Sequence, residues 1–188
     1  MRPHPFRPLT DAEFAILDRL LPACLGRPGR RGRPPQDRRR TLDAIFWVAC
    51  SKGPWKALPP EFGRPDTASR QLRRWARSGH MDLLLGEVAN RDRYDDLLSA
   101  LAWRICRAYR RITKVLTIGS LMLLKRIGPD AALPAERRYL PDLNLSETAR
   151  RLTLKALENP WAQPPGTFAT LARLVAKAAG ARWRWRLT

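Results

Sequence analysis

Apolar residues recur along the chain at intervals of three and four, which is typical of amphipathic helices. Near the start, the sequence Thr10-Asp11-Ala12-Glu13 has the form of a capping box and precedes Phe14, Leu17, Leu20 and Leu21 at helical spacing. A helix is therefore predicted near residues 10–21. A second helix is predicted over residues 38–52, where Leu42, Ile45, Phe46 and Ala49 share one face and Gly53-Pro54 follows.

The third predicted helix runs from Asp66 to Ser78 and carries the most distinctive surface. Asp66 or Thr67 is predicted to cap its start and Gly79 to end it, while Ala68, Leu72, Trp75 and Ala76 form one apolar stripe. The remaining face consists of polar side chains that can contact phosphates and base edges from a major groove: Thr67, Ser69, Arg70, Gln71, Arg73, Arg74 and Arg77. Two interpretations follow, a DNA recognition helix and an ordinary solvated basic face.

After Gly79, Met81, Leu84, Leu85 and Val88 predict another short amphipathic helix, and the second half of the chain is also predicted to be helical. Apolar positions step at helical intervals from Tyr94 to Tyr109 and continue to Ile127, with Gly119 as a predicted kink or break. After a Pro-containing connection over residues 128–142, Ser146 and Thr167 are predicted to cap two further helices, and Gly180 to stop the last one. The predicted fold class is therefore all-α.

The charge balance points to a polyanionic partner. The 188 residues include 36 Lys and Arg against 17 Asp and Glu, for a formal net charge of +19. Hydrophobic residues make up 44% of the chain, so it is globular and no disordered basic tail. Nucleic acid is the usual partner of such a field, and the recognition-helix interpretation of residues 66–78 favours double-stranded DNA.

Other classes of site are poorly supported by the residue types. Three isolated cysteines and two histidines form no metal-ligand pattern, and there is no phosphate-binding glycine loop or nucleophile motif. We therefore expect no metal site, no cofactor and no disulfide framework. The apolar stretch over residues 115–124 is too short to cross a bilayer and is predicted to be a buried core helix. The expected location is the cytoplasm, in association with the nucleoid, with no membrane partner.

Two Arg-rich segments lie outside the predicted helices. Arg30, Arg31 and Arg33 belong to a Gly- and Pro-rich loop whose Arg31-Gly32-Arg33-Pro34 core has the form of an AT-hook, which can enter a narrow minor groove. The alternative is a basic linker. At the C-terminus, Arg182, Arg184 and Arg186 alternate with tryptophans, a pattern that suits nucleic-acid contact, docking on the body of the protein or, less well, an anionic membrane surface.

A series of signatures in fixed order resembles a known family. These are Leu9-Thr10-Asp11, the Gly-Arg-Pro loop, Arg39-Arg40-Thr41-Leu42-Asp43-Ala44-Ile45-Phe46-Trp47-Val48, the segment from Gly53 to Gly63, and Arg73-Arg74-Trp75. Together they resemble the N-terminal DNA-binding domain of the IS-five group of insertion-sequence transposases, over residues 9–89. The resemblance implies a helix-turn-helix-type domain that binds DNA, with Thr67 to Arg77 as its contact surface.

The family's catalytic domain has no counterpart in the remainder of the sequence. That domain gathers three carboxylates around two metal ions on a mixed sheet, whereas residues 90–188 are too few and are predicted to be helical. Asp92, Asp95 and Asp96 could crowd one helix turn, but acidic groups near a helix N-terminus are better explained by the helix dipole. The chain is therefore expected to bind DNA without being an enzyme.

The predicted organisation has four parts. A flexible arm over residues 1–8 precedes the transposase-like domain at 9–89, a helical region at 90–180 and an Arg/Trp-rich tail at 181–188. The expected function is sequence-specific DNA binding by a transcription regulator or accessory factor derived from a bacterial mobile element, and residues 90–180 could form a homodimer or bind another protein. The alternatives are a transposase DNA-binding subunit with a separate catalytic partner and an RNA-binding or ribosome-associated protein.

Overall fold

The computed structural model describes residues 6–21, 37–51, 53–90 and 96–181. Helices account for all the regular secondary structure of these residues, which confirms the all-α class. The described residues form eight α-helices: α1 (Asp11–Leu20), α2 (Arg38–Ser51), α3 (Pro65–Arg77), α4 (His80–Ala89), α5 (Asp96–Arg110), α6 (Ile118–Ile127), α7 (Leu143–Glu158) and α8 (Thr167–Ala178).

The capping box predicted for α1 is present. The Thr10 hydroxyl accepts a hydrogen bond from the Glu13 amide at 3.3 Å, and the Glu13 carboxylate accepts one from the Thr10 amide at 2.9 Å. These bonds satisfy two amides that a helix leaves unpaired at its start. Glu13 is only 1% exposed, and two hydrogen bonds from the Arg7 guanidinium, at 2.5 and 2.7 Å, compensate its buried charge.

Helix α2 forms the centre of the first half of the chain. Its predicted inner face is confirmed, because Leu42, Ile45, Phe46 and Ala49 are each 2% exposed. Five of its other ten side chains are also buried, and both α3 and α5 pack against it. Because nine of its fourteen residues are buried, α2 belongs to the core and supports α3.

Helix α3 begins and ends for different reasons. Neither Asp66 nor Thr67 caps it, because the helix begins one residue earlier, at Pro65, and Arg64 takes the N-cap position without a side-chain hydrogen bond. Proline suits the first turn because it has no amide to leave unpaired. The predicted end is confirmed: Gly79 has a φ of 78°, a left-handed conformation that glycine adopts without strain.

The break predicted at Gly119 lies slightly earlier in the chain. Residues 116 and 117 are extended, and α6 begins at Ile118 with the Thr117 hydroxyl accepting a hydrogen bond from the Ser120 amide at 3.0 Å. Gly119 is inside the first turn of α6. A threonine cap satisfies free amides, which a glycine in that place cannot do, and this decides where the helix starts.

The caps of the last two helices also differ from the prediction. Asp142, and not Ser146, caps α7, because its carboxylate accepts a first-turn amide at 3.0 Å. Helix α8 is preceded by Gly166 with a φ of 87°, and Thr167 is its first residue. The Thr167 hydroxyl instead donates to the carbonyl of Pro164 at 2.8 Å. In both cases another residue occupies the N-cap position. The two helices were therefore predicted correctly, but their capping residues were not.

Packing divides the chain into two compact units, Met1–Ala132 and Leu133–Thr188. The first unit includes α5 and α6, which sequence analysis assigns to the region after residue 89. The Tyr109 hydroxyl of α5 donates to the Asp82 carboxylate of α4 at 2.5 Å, and the Ser120 hydroxyl of α6 donates to the same carboxylate at 2.7 Å. The predicted domain boundary after residue 89 therefore marks where the family resemblance ends. Whether residues 9–89 and 90–180 have separate functions stays a prediction.

The second unit contains the antiparallel pair of α7 and α8. The Asp142 amide donates to the Ala178 carbonyl at 2.9 Å, which brings the start of α7 to the end of α8. The Ala181 amide donates to the Tyr139 carbonyl, also at 2.9 Å. Gly180, which lies between Ala178 and Ala181 in the chain, has a φ of 69°. A side chain at this position would place its Cβ 2.5 Å from the Tyr139 carbonyl oxygen. The chain closes tightly here because the residue is glycine.

Candidate nucleic-acid interface

The inner face of α3 fixes the direction in which its polar face points. Ala68, Leu72, Trp75 and Ala76 are all buried, as their helical spacing predicts. This stripe belongs to the helix that packs against α2 and α4. Because α3 is held along its apolar side, the side chains opposite that stripe are presented to solvent.

Four arginines occupy the solvent side of α3. Arg70, Arg73, Arg74 and Arg77 are all exposed and follow the i, i+3, i+4, i+7 spacing of one helix face. Within the described part of the chain, none of their side chains makes a hydrogen bond or an ion pair. At 1.5 Å per residue, they span roughly 10 Å, a length that fits a major groove about 12 Å wide.

The other predicted contacts on α3 are less uniform. Thr67 and Gln71 are partly exposed and flank the arginine stripe. Ser69 is only 8% exposed, which corrects the prediction that it belongs to the polar face. It lies three residues before Leu72 and seven before Ala76, so it shares their side of the helix. Its small polar side chain gave no signal of burial, and we exclude it from the candidate interface.

An open recess lies at the start of α3. It has a volume of about 310 Å³ and is lined by Arg64, Pro65, Asp66, Thr67 and Arg70. Arg64 is exposed and was not predicted as a contact residue, because it precedes the helix and lies among breakers. The recess extends the basic surface of α3 beyond its first turn, with Asp66 as the acidic group beside it.

Arginines elsewhere in the first unit are bound to the protein itself. The run Arg38-Arg39-Arg40 at the start of α2 resembles a basic DNA contact in sequence, but each guanidinium donates to backbone carbonyls. Arg38 donates to those of Asp18 and Leu21, Arg39 to that of Leu9, and Arg40 to those of Pro60 and Glu61. These side chains join α2 to the segments around it.

A second group of arginines lies on α5 and the turn that follows it. Arg104 is 2% exposed and donates to the Arg7 carbonyl at 3.0 Å. Arg107 and Arg111 donate to carbonyls at the end of α2, and burial lowers the pKa of both Arg104 and Arg111. A large part of the basic charge therefore supports the fold, whereas the α3 stripe places four arginines without such a partner on one face of a single helix.

Two predicted basic segments lie outside the described residues. Arg30, Arg31 and Arg33 belong to residues 22–36, and Arg182, Arg184 and Arg186 belong to residues 182–188. Both segments stay predictions from the sequence.

Other chemistry is sparse in the part of the chain that the structure describes. No group of three His, Cys, Asp or Glu side chains there could hold a metal ion. Cys50 and Cys106 are buried thiols, and burial raises the pKa of Cys106 to about 11, which keeps it protonated at neutral pH. Among the helices described, none is long and apolar enough to cross a membrane.

Comparison with known proteins places this surface in a family context. Residues 9–85 match the family described as "Putative transposase of IS4/5 family". Over 81 residues the chain is 38% identical to a protein of Sinorhizobium fredii named "Uncharacterized protein y4sN". That match covers 43% of this chain and 62% of the relative, so the chain spans less than two thirds of the relative's length. No solved structure matches the chain. The family match confirms the resemblance seen in the sequence.

Proposed function

We propose, from the match of residues 9–85 to the IS4/5 family of transposases, that this chain binds double-stranded DNA in a sequence-specific manner through α3. The observation that carries the proposal is the stripe of four exposed α3 arginines without a partner in the described chain. The positive charges of these four guanidinium groups have no partner in the described chain, whereas other arginines of the first unit bind backbone carbonyls. A ligand that compensates them all must be polyanionic.

In the proposed complex, α3 enters the major groove along its length. Arg70, Arg73, Arg74 and Arg77 divide phosphate contacts and bidentate contacts to guanine between them. Gln71 and Thr67, at the edges of the stripe, supply the shorter polar groups that suit adenine and backbone oxygens. The rigid packing of α3 on α2 fixes the register of these contacts.

Contacts outside α3 add affinity in this proposal. Arg64 lines the recess at the start of α3, where a backbone phosphate beside the groove could be held. Arg30, Arg31 and Arg33 reach an adjacent minor groove, as the sequence of their loop suggests. The Arg182, Arg184 and Arg186 tail is a further candidate for backbone contact.

Binding, without strand chemistry, is the activity that we assign to the chain. A transcription regulator or accessory factor derived from a mobile element fits this role. The second candidate is a DNA-binding subunit that acts with a separately encoded catalytic partner, and the transposase description of the matching family favours it. Metal-dependent strand cleavage by the purified chain would contradict the binding-only role.

The test uses duplex sites selected from a randomised library, with a scrambled duplex and an RNA hairpin of equal length as competitors. Changing Arg73 and Arg74 to Ala is expected to weaken the selected site by at least about tenfold and to lower the ratio of specific to nonspecific affinity. The matched control changes Arg110 and Arg126 to Ala. These residues are exposed on α5 and α6, and their replacement removes the same amount of positive charge.

Three results would refute the proposal. An equal loss in both double variants would reduce α3 to one part of a general basic field. A library that yields no preferred site would exclude sequence-specific binding. Tighter binding of the RNA hairpin than of any duplex would favour the RNA-binding alternative.

A further inference from the structure

The outer side of α7 exposes several large apolar side chains, whereas the solvent side of an amphipathic helix is usually polar. Its inner side faces α8 through Ala149 and Ala156, which are 1% and 5% exposed. On the outer side, Leu143, Leu154 and Leu157 are each more than half exposed. Single exposed leucines are ordinary, but several exposed apolar residues along one helix face indicate an interaction surface.

Five exposed residues of α7 follow a regular seam. Its positions are separated alternately by four and three residues, as in the heptad pattern of helices that pack against other helices. We call this line the outer seam; it consists of Leu143, Glu147, Arg150, Leu154 and Leu157, with Trp161 just beyond the helix and 97% exposed. Helix α7 therefore carries two packing sides, of which α8 covers only one.

Helix α8 widens the same face. Arg150 and Leu157 each follow an inward-facing alanine of α7 by one residue, and Val175 follows the half-buried Leu174 of α8 by one. Because antiparallel helices turn in opposite senses when viewed from one end, such positions lie on the same face of the pair. Phe168 lies seven residues before Val175, and the two are 41% and 50% exposed. The outer seam and these two residues form one surface.

Charge separates this face from the rest of the helix pair. On the outer seam, the Glu147 carboxylate pairs with the Arg150 guanidinium through hydrogen bonds of 3.0 and 3.1 Å, so the seam has no net charge. The other side of the pair carries four basic residues, Arg151, Lys155, Arg173 and Lys177, and one acidic residue, Glu158, seven positions after Arg151. In a chain with a net charge of +19, two copies meet with least repulsion through the neutral seam.

We propose that the outer seam binds a second copy of this chain, with the two α7 helices antiparallel about a two-fold axis. The register that satisfies the charges places Glu147 opposite the partner's Arg150, and Leu143 opposite the partner's Leu154. Two-fold symmetry repeats each pair, so the seam is complementary to itself. A parallel arrangement in register would instead oppose Glu147 to its own copy.

The seam also suits exchange of the ion pair between copies. The side chains of Glu147 and Arg150 are 65% and 66% exposed, so their pairing within one chain is a weak surface contact. Flanked by leucines from both copies, the same groups would lose water and pair more strongly across the interface. The basic sides of both helix pairs would remain outside the contact.

Sedimentation equilibrium of the full chain without DNA tests this inference. We expect a reversible dimer that Glu147→Arg or Arg150→Glu each weakens by at least about tenfold, because each change opposes like charges twice per dimer. The double variant with both changes restores opposite charges and is expected to regain the wild-type dissociation constant within about threefold. Arg173→Glu, which makes the same charge change on α8 on the side away from Phe168 and Val175, is the control and should not weaken the dimer.

The swapped pair keeps an i, i+3 ion pair within α7, so far-UV circular dichroism can verify that each variant remains helical. A wild-type chain that is monomeric at all concentrations up to about 100 µM, a range in which specific dimers form, would overturn the proposal. A dimer that the single changes leave intact, or that the double change does not restore, would overturn it as well. Since no DNA is present, these outcomes are independent of whether α3 binds DNA.

Discussion

The replacement of Arg111 by Met tests whether the fold depends on arginines that bind carbonyls. The Arg111 guanidinium donates through Nη2 to the carbonyl of Val48 at 2.8 Å and to that of Gly53. The Val48 carbonyl lies in the last turn of α2, where a helix leaves its oxygens unpaired and its dipole favours a cation, and the Gly53 carbonyl lies just beyond the helix. Arg111 is partly buried, and Met would retain the apolar stem while removing both donors.

The expected loss of stability follows from these contacts. A hydrogen bond from a charged group contributes about 1.5 to 3 kcal/mol, and a cation at a helix C-terminus about 0.3 to 1 kcal/mol. Burial lowers the pKa of Arg111, with a further contribution from Arg107, so desolvation of the guanidinium offsets part of the gain. For Arg111→Met we therefore expect a decrease of about 2 to 3 kcal/mol in the free energy of unfolding at pH 7.

The assay is urea unfolding followed by far-UV circular dichroism, together with DNA binding at several salt concentrations. The control is Arg126→Met, because Arg126 is exposed on α6 and its replacement should cost less than about 0.5 kcal/mol. The salt dependence of DNA binding should not change for Arg111→Met, since that residue is assigned no phosphate contact. A loss no greater than that of the control, or a reduced salt slope, would refute this assignment.

Two further predictions concern single residues. Burial opposes ionisation of Glu13, but hydrogen bonds from Arg7 and the Thr10 amide outweigh burial and lower the Glu13 pKa. The ionised side chain therefore stabilises the fold at pH values above the pKa of the unfolded chain, and this stabilisation is lost as pH falls. Glu13→Gln should cost about 2 kcal/mol at pH 7 and clearly less at pH 3 in urea unfolding; a pH-independent difference would contradict this. Gly180→Ala should destabilise the second unit by at least about 1 kcal/mol because of its positive φ and the Tyr139 carbonyl, and an unchanged thermal transition would contradict that reasoning.

The sequence by itself determined the helical class, most helix ranges and the buried stripe of α3. These features depend on the spacing of apolar residues within a few turns and on capping residues such as Thr10 and Gly79. Both can be identified from neighbouring positions in the sequence. It also determined the family resemblance and the arginine stripe. The caps differ because the Asp142 carboxylate, and not Ser146, binds a first-turn amide of α7, while α3 and α8 begin without a side-chain cap; spacing alone does not select among these starts.

Only the tertiary structure decided which arginines are available to a ligand. In sequence, Arg38 to Arg40 and Arg70 to Arg77 are similar basic groups, yet only the second set has no partner in the described chain. A long guanidinium side chain binds whichever carbonyl the fold brings near it: Arg111 and Val48 are 63 positions apart, and Arg104 and Arg7 are 97 apart. Periodicity cannot encode such distant pairs, so the chain's composition gives the amount of positive charge and the fold decides where it remains uncompensated.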